Sequence, residues 1–108
     1  MIRVQQAPFD AGAEQQALLA GRTDIGAVVC FTGLVRDFNE TPEVTALTLE
    51  HYPGMTESAL EAIVAEAEAR WPLDGVRVIH RVGRLAPGDP IVLVAVASAH
   101  RRAAFEAC

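Results

Sequence analysis

Two long apolar runs dominate the hydrophobic pattern of the chain. The first extends from Ile25 to Val35, and the second extends from Ile91 to Ala97. Both are rich in β-branched residues, which favour strands. An apolar run without regular polar alternation is typical of a strand that is covered on both faces. We therefore predict two buried strands, and we expect the first to lie centrally in a sheet.

Helical spacing of apolar residues marks one long segment. Its stripe consists of Leu60, Ile63, Val64, Ala67 and Trp71, with charged residues outward. Thr56 is the predicted N-cap of this helix. A shorter helix is predicted from Asp10, as N-cap, to about Ala20, with Gly21 as its terminator. A third helix is predicted to begin near Ala103.

Three further segments have the pattern of strands. They are Ile2–Gln5, Val44–Tyr52 and Val76–Val82. Hairpin-type turn sequences follow at Tyr52-Pro-Gly54 and at Leu85-Ala-Pro-Gly-Asp89. The mixture of strands and helices, with these turns, favours an α+β fold over a doubly wound parallel sheet. We predict one domain over residues 1–108, with a mixed, largely antiparallel sheet and packed helices.

Composition and charge narrow the class of protein. Of the 108 residues, 51% are hydrophobic and 21% charged, as in an ordered globular domain, and no apolar run reaches the ~20 residues that a bilayer requires. The formal net charge of −5 argues against general nucleic-acid binding. Two separated cysteines indicate no disulfide framework. We expect a cytoplasmic protein with no nucleic-acid or membrane partner.

Basic residues follow both apolar runs. Arg36 ends the first run, and His100 and Arg101 follow the second. If the two strands end side by side, these side chains converge at one place that suits a phosphate or a carboxylate, since arginine offers a bidentate fork. The competing interpretation is an arginine that pairs with Asp37 or a nearby glutamate at the surface.

The histidines, Cys30 and Gly33 give weaker evidence for a functional site. His51, His80 and His100 lack the spacing of a metal site, so we predict no metal. Cys30 with His100 as its base is a conceivable nucleophile, but burial within a strand disfavours the thiolate, and we interpret Cys30 as a core residue. Gly33 indicates either a close approach of a ligand or strand, or a bulge.

Several segments together resemble one protein family, the large, catalytic subunit of molybdopterin synthase (MoaE family). The segments are Phe31-Thr-Gly-Leu-Val-Arg36, Leu47-Thr-Leu-Glu-His-Tyr-Pro-Gly-Met55, Val78-Ile-His-Arg-Val-Gly83 with Pro87-Gly-Asp89, and Ser98-Ala-His-Arg101. Their order and spacing agree with the family over nearly the whole chain, and the segment that ends at Met55 is the most specific.

The resemblance implies an α/β-hammerhead-like fold and a homodimer within a heterotetramer. A small ubiquitin-like sulfur-carrier subunit would present a C-terminal thiocarboxylate, and its sulfur would pass to cyclic pyranopterin monophosphate to make molybdopterin. By motif match, the substrate-binding residues are Leu34, Val35, Arg36, His100 and Arg101. The resemblance implies no cofactor.

The chain departs from the family in one important respect. The family places its catalytic lysines after the final helix, whereas this sequence contains no lysine and ends at Cys108. We therefore expect a shortened form that carries no catalytic residue of its own and is inactive when isolated. The alternative is a non-catalytic anion-binding or assembly module of the same fold.

Overall fold

The computed structural model describes residues 1–36, 47–49 and 54–108. Three helices and six strands are present in these ranges. In chain order they are β1 (Ile2–Gln5), α1 (Ala11–Leu19), β2 (Ala27–Leu34), β3 (Leu47–Leu49), α2 (Met55–Arg70), β4 (Gly75–Arg81), β5 (Gly83–Leu85), β6 (Pro90–Ser98) and α3 (Arg101–Ala107).

Four strands form the main sheet in the order β1-β4-β6-β2. The β1–β4 pair is parallel, whereas β4–β6 and β6–β2 are antiparallel. β3 and β5 form a separate antiparallel pair. The predicted α+β fold with a mixed, largely antiparallel sheet is therefore confirmed.

The helices cover opposite faces of this sheet because alternate residues of β4 point to opposite sides. Val76 and Val78 form a core cluster with Val96, against which Leu60 and Val64 of α2 pack. From the other face, the neighbouring Arg77 reaches Glu14 of α1 through its Nη1 atom, at 2.6 Å.

Local hydrogen bonds explain where α1 and α2 begin. Asp10 caps α1, as predicted, and its Oδ1 accepts a hydrogen bond from the Ala13 amide at 3.1 Å. The prediction for α2 is wrong by two residues, because the helix begins at Met55 and Thr56 lies inside it. The Glu57 carboxylate accepts from the Gly54 amide at 2.9 Å, which satisfies a donor that the helix leaves unpaired.

Strand order and side-chain exposure correct three other expectations. β2 is not central: it pairs only with β6 and forms an edge of the sheet in the part of the chain that the structure describes. Cys30 on β2 is exposed rather than buried in the core. Ile63, expected on the buried stripe of α2, is 63% exposed.

The remaining strand predictions have mixed outcomes. Of the predicted strand Val44–Tyr52, only residues 47–49 are described, and these form β3. The rest, with His51, lies outside the described residues. β5 has no counterpart in the sequence analysis. Within the described ranges, no helix is long and apolar enough to cross a membrane.

Candidate functional site

Arg36 follows β2 at a point where the backbone is held on both sides. The Val35 amide donates to the Asp89 carbonyl at 2.9 Å, and the Val35 carbonyl accepts from the Gly88 amide at 2.8 Å. The side chain of Val35 is buried, whereas those of Leu34 and Arg36 are exposed. The guanidinium of Arg36 therefore extends from a fixed backbone into solvent. We call this region the Arg36 end.

His100 and Arg101 lie where β6 passes into α3. Ser98, the last residue of β6, is fully buried, and its hydroxyl donates to the Pro72 carbonyl at 2.7 Å. The same hydroxyl oxygen accepts from the His100 amide at 3.2 Å. His100 and Arg101 are both exposed. We call this region the His100 end.

The two ends do not meet within one chain. β2 and β6 are antiparallel neighbours, with Ala27 opposite Ser98 and Leu34 opposite Pro90. Seven residues separate the two register positions on β2, and at about 3.3 Å per residue the ends lie more than about 20 Å apart. The expectation that Arg36, His100 and Arg101 share one hollow is therefore wrong for a single chain. Apolar runs predict strands, but they do not predict strand direction.

The arginines at the two ends differ from most other arginines in their surroundings. Within residues 1–36, 47–49 and 54–108, neither Arg36 nor Arg101 forms an ion pair. Arg102, next to Arg101, instead bonds Glu106 at 2.8 Å. Hydrogen bonds from Arg102 and from the Trp71 indole hold the pKa of Glu106 below its ordinary value. Arg36 and Arg101 consequently keep their donors available to an external anion.

The other candidate groups do not form a site in the described residues. The Cys30 thiol donates to the Gln15 side-chain oxygen at 3.2 Å, and desolvation raises its pKa, so the thiolate is disfavoured at neutral pH. Its register partner is Ala95, in the middle of β6, whereas His100 lies beyond the end of that strand. Across the described residues, no three His, Cys, Asp and Glu side chains converge on a possible metal position.

Two buried polar residues were missed by the sequence analysis. Ser98 and Arg81 are the buried polar side chains that the structure describes. Both are the last residues of their strands: Ser98 lies two residues before His100, and Arg81 contacts Pro90, the register partner of Leu34. Arg81 is the last residue of β4, a strand that also contains Arg77 and His80, so a polar residue at this position gives no distinct signal in the sequence. The positions of the carbonyls that satisfy Arg81 follow only from the fold.

Comparisons with known proteins agree on one family. Residues 4–108 match the model of the family described as MoaE protein. A molybdopterin synthase catalytic subunit from Pseudomonas aeruginosa is 63% identical over 107 residues, which cover 99% of this chain and 71% of the relative. The chain spans 61% to 71% of the length of the curated relatives that it matches.

Solved structures give the same result for the fold. A molybdopterin cofactor biosynthesis protein E from Burkholderia multivorans has a TM-score of 0.89 at 55% identity, covering all of this chain and 70% of that one. A complex of subunits 1 and 2 of the molybdopterin-converting factor from Helicobacter pylori has a TM-score of 0.77 at 20% identity, covering 98% and 70%, and it shows the fold alone. The chain belongs to the MoaE family, the family of the catalytic subunit of molybdopterin synthase, an enzyme of molybdenum cofactor biosynthesis.

Proposed function

We propose that this chain binds cyclic pyranopterin monophosphate and positions it for sulfur transfer from the thiocarboxylate of a small carrier subunit, to give molybdopterin. The observation that carries the proposal is the pair of exposed arginines, Arg36 and Arg101, at the two ends of one strand pair in a MoaE-family fold. Each guanidinium offers a fork of donors that matches a phosphate. His100 is suited to proton transfer near neutral pH.

One substrate molecule is too small to reach both ends of one chain. We therefore propose a homodimer in which each site takes the Arg36 end of one chain and the His100 end of the other. The outer side of β2 supports this arrangement, because its backbone has no strand partner among the described residues. Phe31 and Leu34 on β2 are 56% and 55% exposed, so pairing there would also bury apolar surface.

The geometry of such a dimer follows from strand direction. If two copies of β2 pair antiparallel across a two-fold axis, then β6 of one chain and β2 of the other run in the same direction on either side of the first β2. Their ends then lie at the same edge of the joined sheet, about 10 Å apart, which is two strand spacings. Arg36 of one chain thereby approaches His100 and Arg101 of its partner.

Besides His100, the other four predicted substrate-binding residues have different parts in this proposal. Arg36 and Arg101 bind the phosphate and stabilise charge as the cyclic ester opens. Leu34 presents an exposed apolar side chain beside them. Val35 is buried and both of its backbone hydrogen-bonding groups are already paired, so it holds the strand end rather than the substrate.

In our proposal, residues 1–108 supply neither the sulfur donor nor the catalytic base. A separate sulfur-carrying subunit is supported by the similarity to a relative named as the catalytic subunit of molybdopterin synthase, a name that implies a further subunit. Residues 1–108 contain no lysine, so we expect them to bind substrate without converting it. We also propose a cytoplasmic location, since both cysteines are free thiols, as is usual in a reducing compartment.

Mixing of two variants tests the shared site. Arg36→Ala and Arg101→Ala should each weaken binding of cyclic pyranopterin monophosphate about 10- to 100-fold in calorimetric titration, because each loses charged hydrogen bonds. The thermal midpoint should stay near that of the wild type, since both side chains are exposed. In a re-equilibrated mixture, a heterodimer combines one intact site with one doubly altered site. About a quarter of the wild-type binding capacity should therefore return.

The matched control is Arg70→Ala, which removes the same charge from an exposed position on α2. It should leave the affinity unchanged. An unaltered affinity in Arg36→Ala would refute the anion role of Arg36. Loss of affinity in both single variants, without recovery in the mixture, would refute the two-chain site.

A further inference from the structure

Arg81 is a buried cation whose partners are neutral. It is the last residue of β4 and is 8% exposed. Its Nε and Nη2 atoms donate to the Gln6 carbonyl at 3.2 and 3.0 Å, and Nη1 donates to the Pro90 carbonyl at 3.2 Å. No carboxylate within the described ranges pairs with it. Burial of a charge is costly unless hydrogen bonds replace its hydration, so these carbonyls must be held accurately in place.

One of those carbonyls belongs to the segment that holds the Arg36 end. Pro90 begins β6 and is the register partner of Leu34. The preceding residues form the turn 86–89, in which the Asp89 carboxylate accepts from the Ala86 amide at 2.8 Å. This turn makes both backbone hydrogen bonds to Val35. A continuous set of contacts therefore leads from the Arg81 guanidinium, through the turn, to the residue before Arg36.

We propose that Arg81 is a positioning residue for substrate binding: through Pro90 it fixes the turn 86–89 against Val35 and so directs Arg36 toward the phosphate. This inference rests on the proposed function, since it concerns the same site. Arginine suits the role because its planar fork reaches the Gln6 and Pro90 carbonyls at once. Lysine keeps the charge but presents one ammonium group, which does not reproduce this two-sided bridge.

Amide hydrogen exchange tests the structural part of the proposal without any ligand. In Arg81→Lys, exchange at the Val35 and Gly88 amides should accelerate at least about tenfold, because local opening of the turn becomes easier. The Gly26 amide, which donates to the Ser98 carbonyl at the His100 end, is the internal control and should not change. Parallel acceleration at all three amides, or no acceleration at Val35 and Gly88, would overturn the proposal.

A second variant reaches the same turn without disturbing the buried charge. Asp89→Ala removes the carboxylate that accepts from the Ala86 amide. It should produce the same local pattern of exchange as Arg81→Lys, and it keeps the test decisive if Arg81→Lys does not fold. Protection at Val35 that is unchanged in Asp89→Ala would contradict the role of the turn.

A double-mutant cycle with cyclic pyranopterin monophosphate tests the functional part. Arg81→Lys should weaken binding about fivefold when Arg36 is present, and it should have no further effect in the Arg36→Ala background, because Arg81 acts through Arg36. Unchanged affinity in Arg81→Lys, or an equal loss in both backgrounds, would overturn the positioning role. Equal affinity of the wild type and Arg36→Ala would instead refute the proposed function, and with it the part of Arg81 in binding. The exchange pattern would then still decide whether Arg81 holds the turn.

Discussion

The Arg36 end and the His100 end are each stabilised by a buried polar side chain, but the two side chains differ in charge. At each end, one buried polar side chain bonds the backbone of a segment that leads to the exposed candidate residues. At the His100 end it is Ser98, a neutral hydroxyl that needs two partners, one of them only two residues away. At the Arg36 end it is Arg81, a charge with three hydrogen bonds to segments far apart in the sequence. The Arg36 end therefore depends more strongly on the complete fold.

The two ends also differ in the space around their glycines. A Cβ atom on Gly26, at the His100 end, would lie 2.2 Å from the Ala99 carbonyl oxygen, which is backbone. A Cβ on Gly33, at the Arg36 end, would lie 2.7 Å from a methyl of the Val92 side chain. The strand register also shifts between Gly33 and Leu34. Both roles that the sequence left open for Gly33 are therefore present. The neighbouring strand approaches it closely, and the register is irregular next to it.

The largest predicted effect comes from filling these spaces. Gly26→Ala should lower the free energy of unfolding by about 3 kcal/mol, because backbone at the start of α3 must move. Gly33→Ala should cost only about 1 kcal/mol, because a side chain can adjust. Urea denaturation of both variants gives the comparison. Equal losses would show that the two ends are packed with equal tolerance.

A smaller effect is expected from the buried hydroxyl. Ser98→Ala leaves the Pro72 carbonyl and the His100 amide without this partner, which should cost about 1–3 kcal/mol. Exchange at the His100 amide should accelerate while exchange at Val35 stays the same. Ser58→Ala, at an exposed position of α2, is the matched control and should leave the free energy of unfolding nearly unchanged. Acceleration at both ends would contradict their independence.

The smallest effect concerns Glu14, which links α1 to the sheet between the two ends. Partial burial alone raises the pKa of Glu14, but hydrogen bonds from Arg77 and Arg3 outweigh it, and the pKa lies below its ordinary value. The folded state therefore favours the charged carboxylate. Its contribution is present above the ordinary pKa and is lost as the pH falls through the lower, folded value.

Glu14→Gln should accordingly lower the free energy of unfolding by about 1 kcal/mol at pH 7. The difference between variant and wild type should shrink as the pH falls from about 5 to 3. Thermal unfolding at several pH values measures this trend. A difference that is independent of pH would show that packing, and not charge, accounts for the effect. Exchange at Val35 and His100 should not change.

Much of the local structure could be predicted because its causes are local. Asp10 caps α1 through an amide three residues away, and the stripe of α2 depends on residues three or four apart. The fold class followed from the mixture of these elements with hairpin-type turns. The family could be recognised because its motifs are read along the sequence, without knowledge of which strands pair. There are two exceptions: Thr56 lies inside α2, which is capped locally by Gly54 and Glu57, and Ile63 is exposed although it falls on the apolar stripe.

The candidate site depended on information that a linear pattern does not contain. The sequence by itself determined that two apolar strands exist and that Arg36, His100 and Arg101 follow them. Only the tertiary structure decided that β2 runs antiparallel to β6 at an edge of the sheet, which places the basic residues at opposite ends. The physical reason is that apolar composition records how much of a strand avoids water, whereas strand order and direction are set by hydrogen bonds between segments distant in the chain.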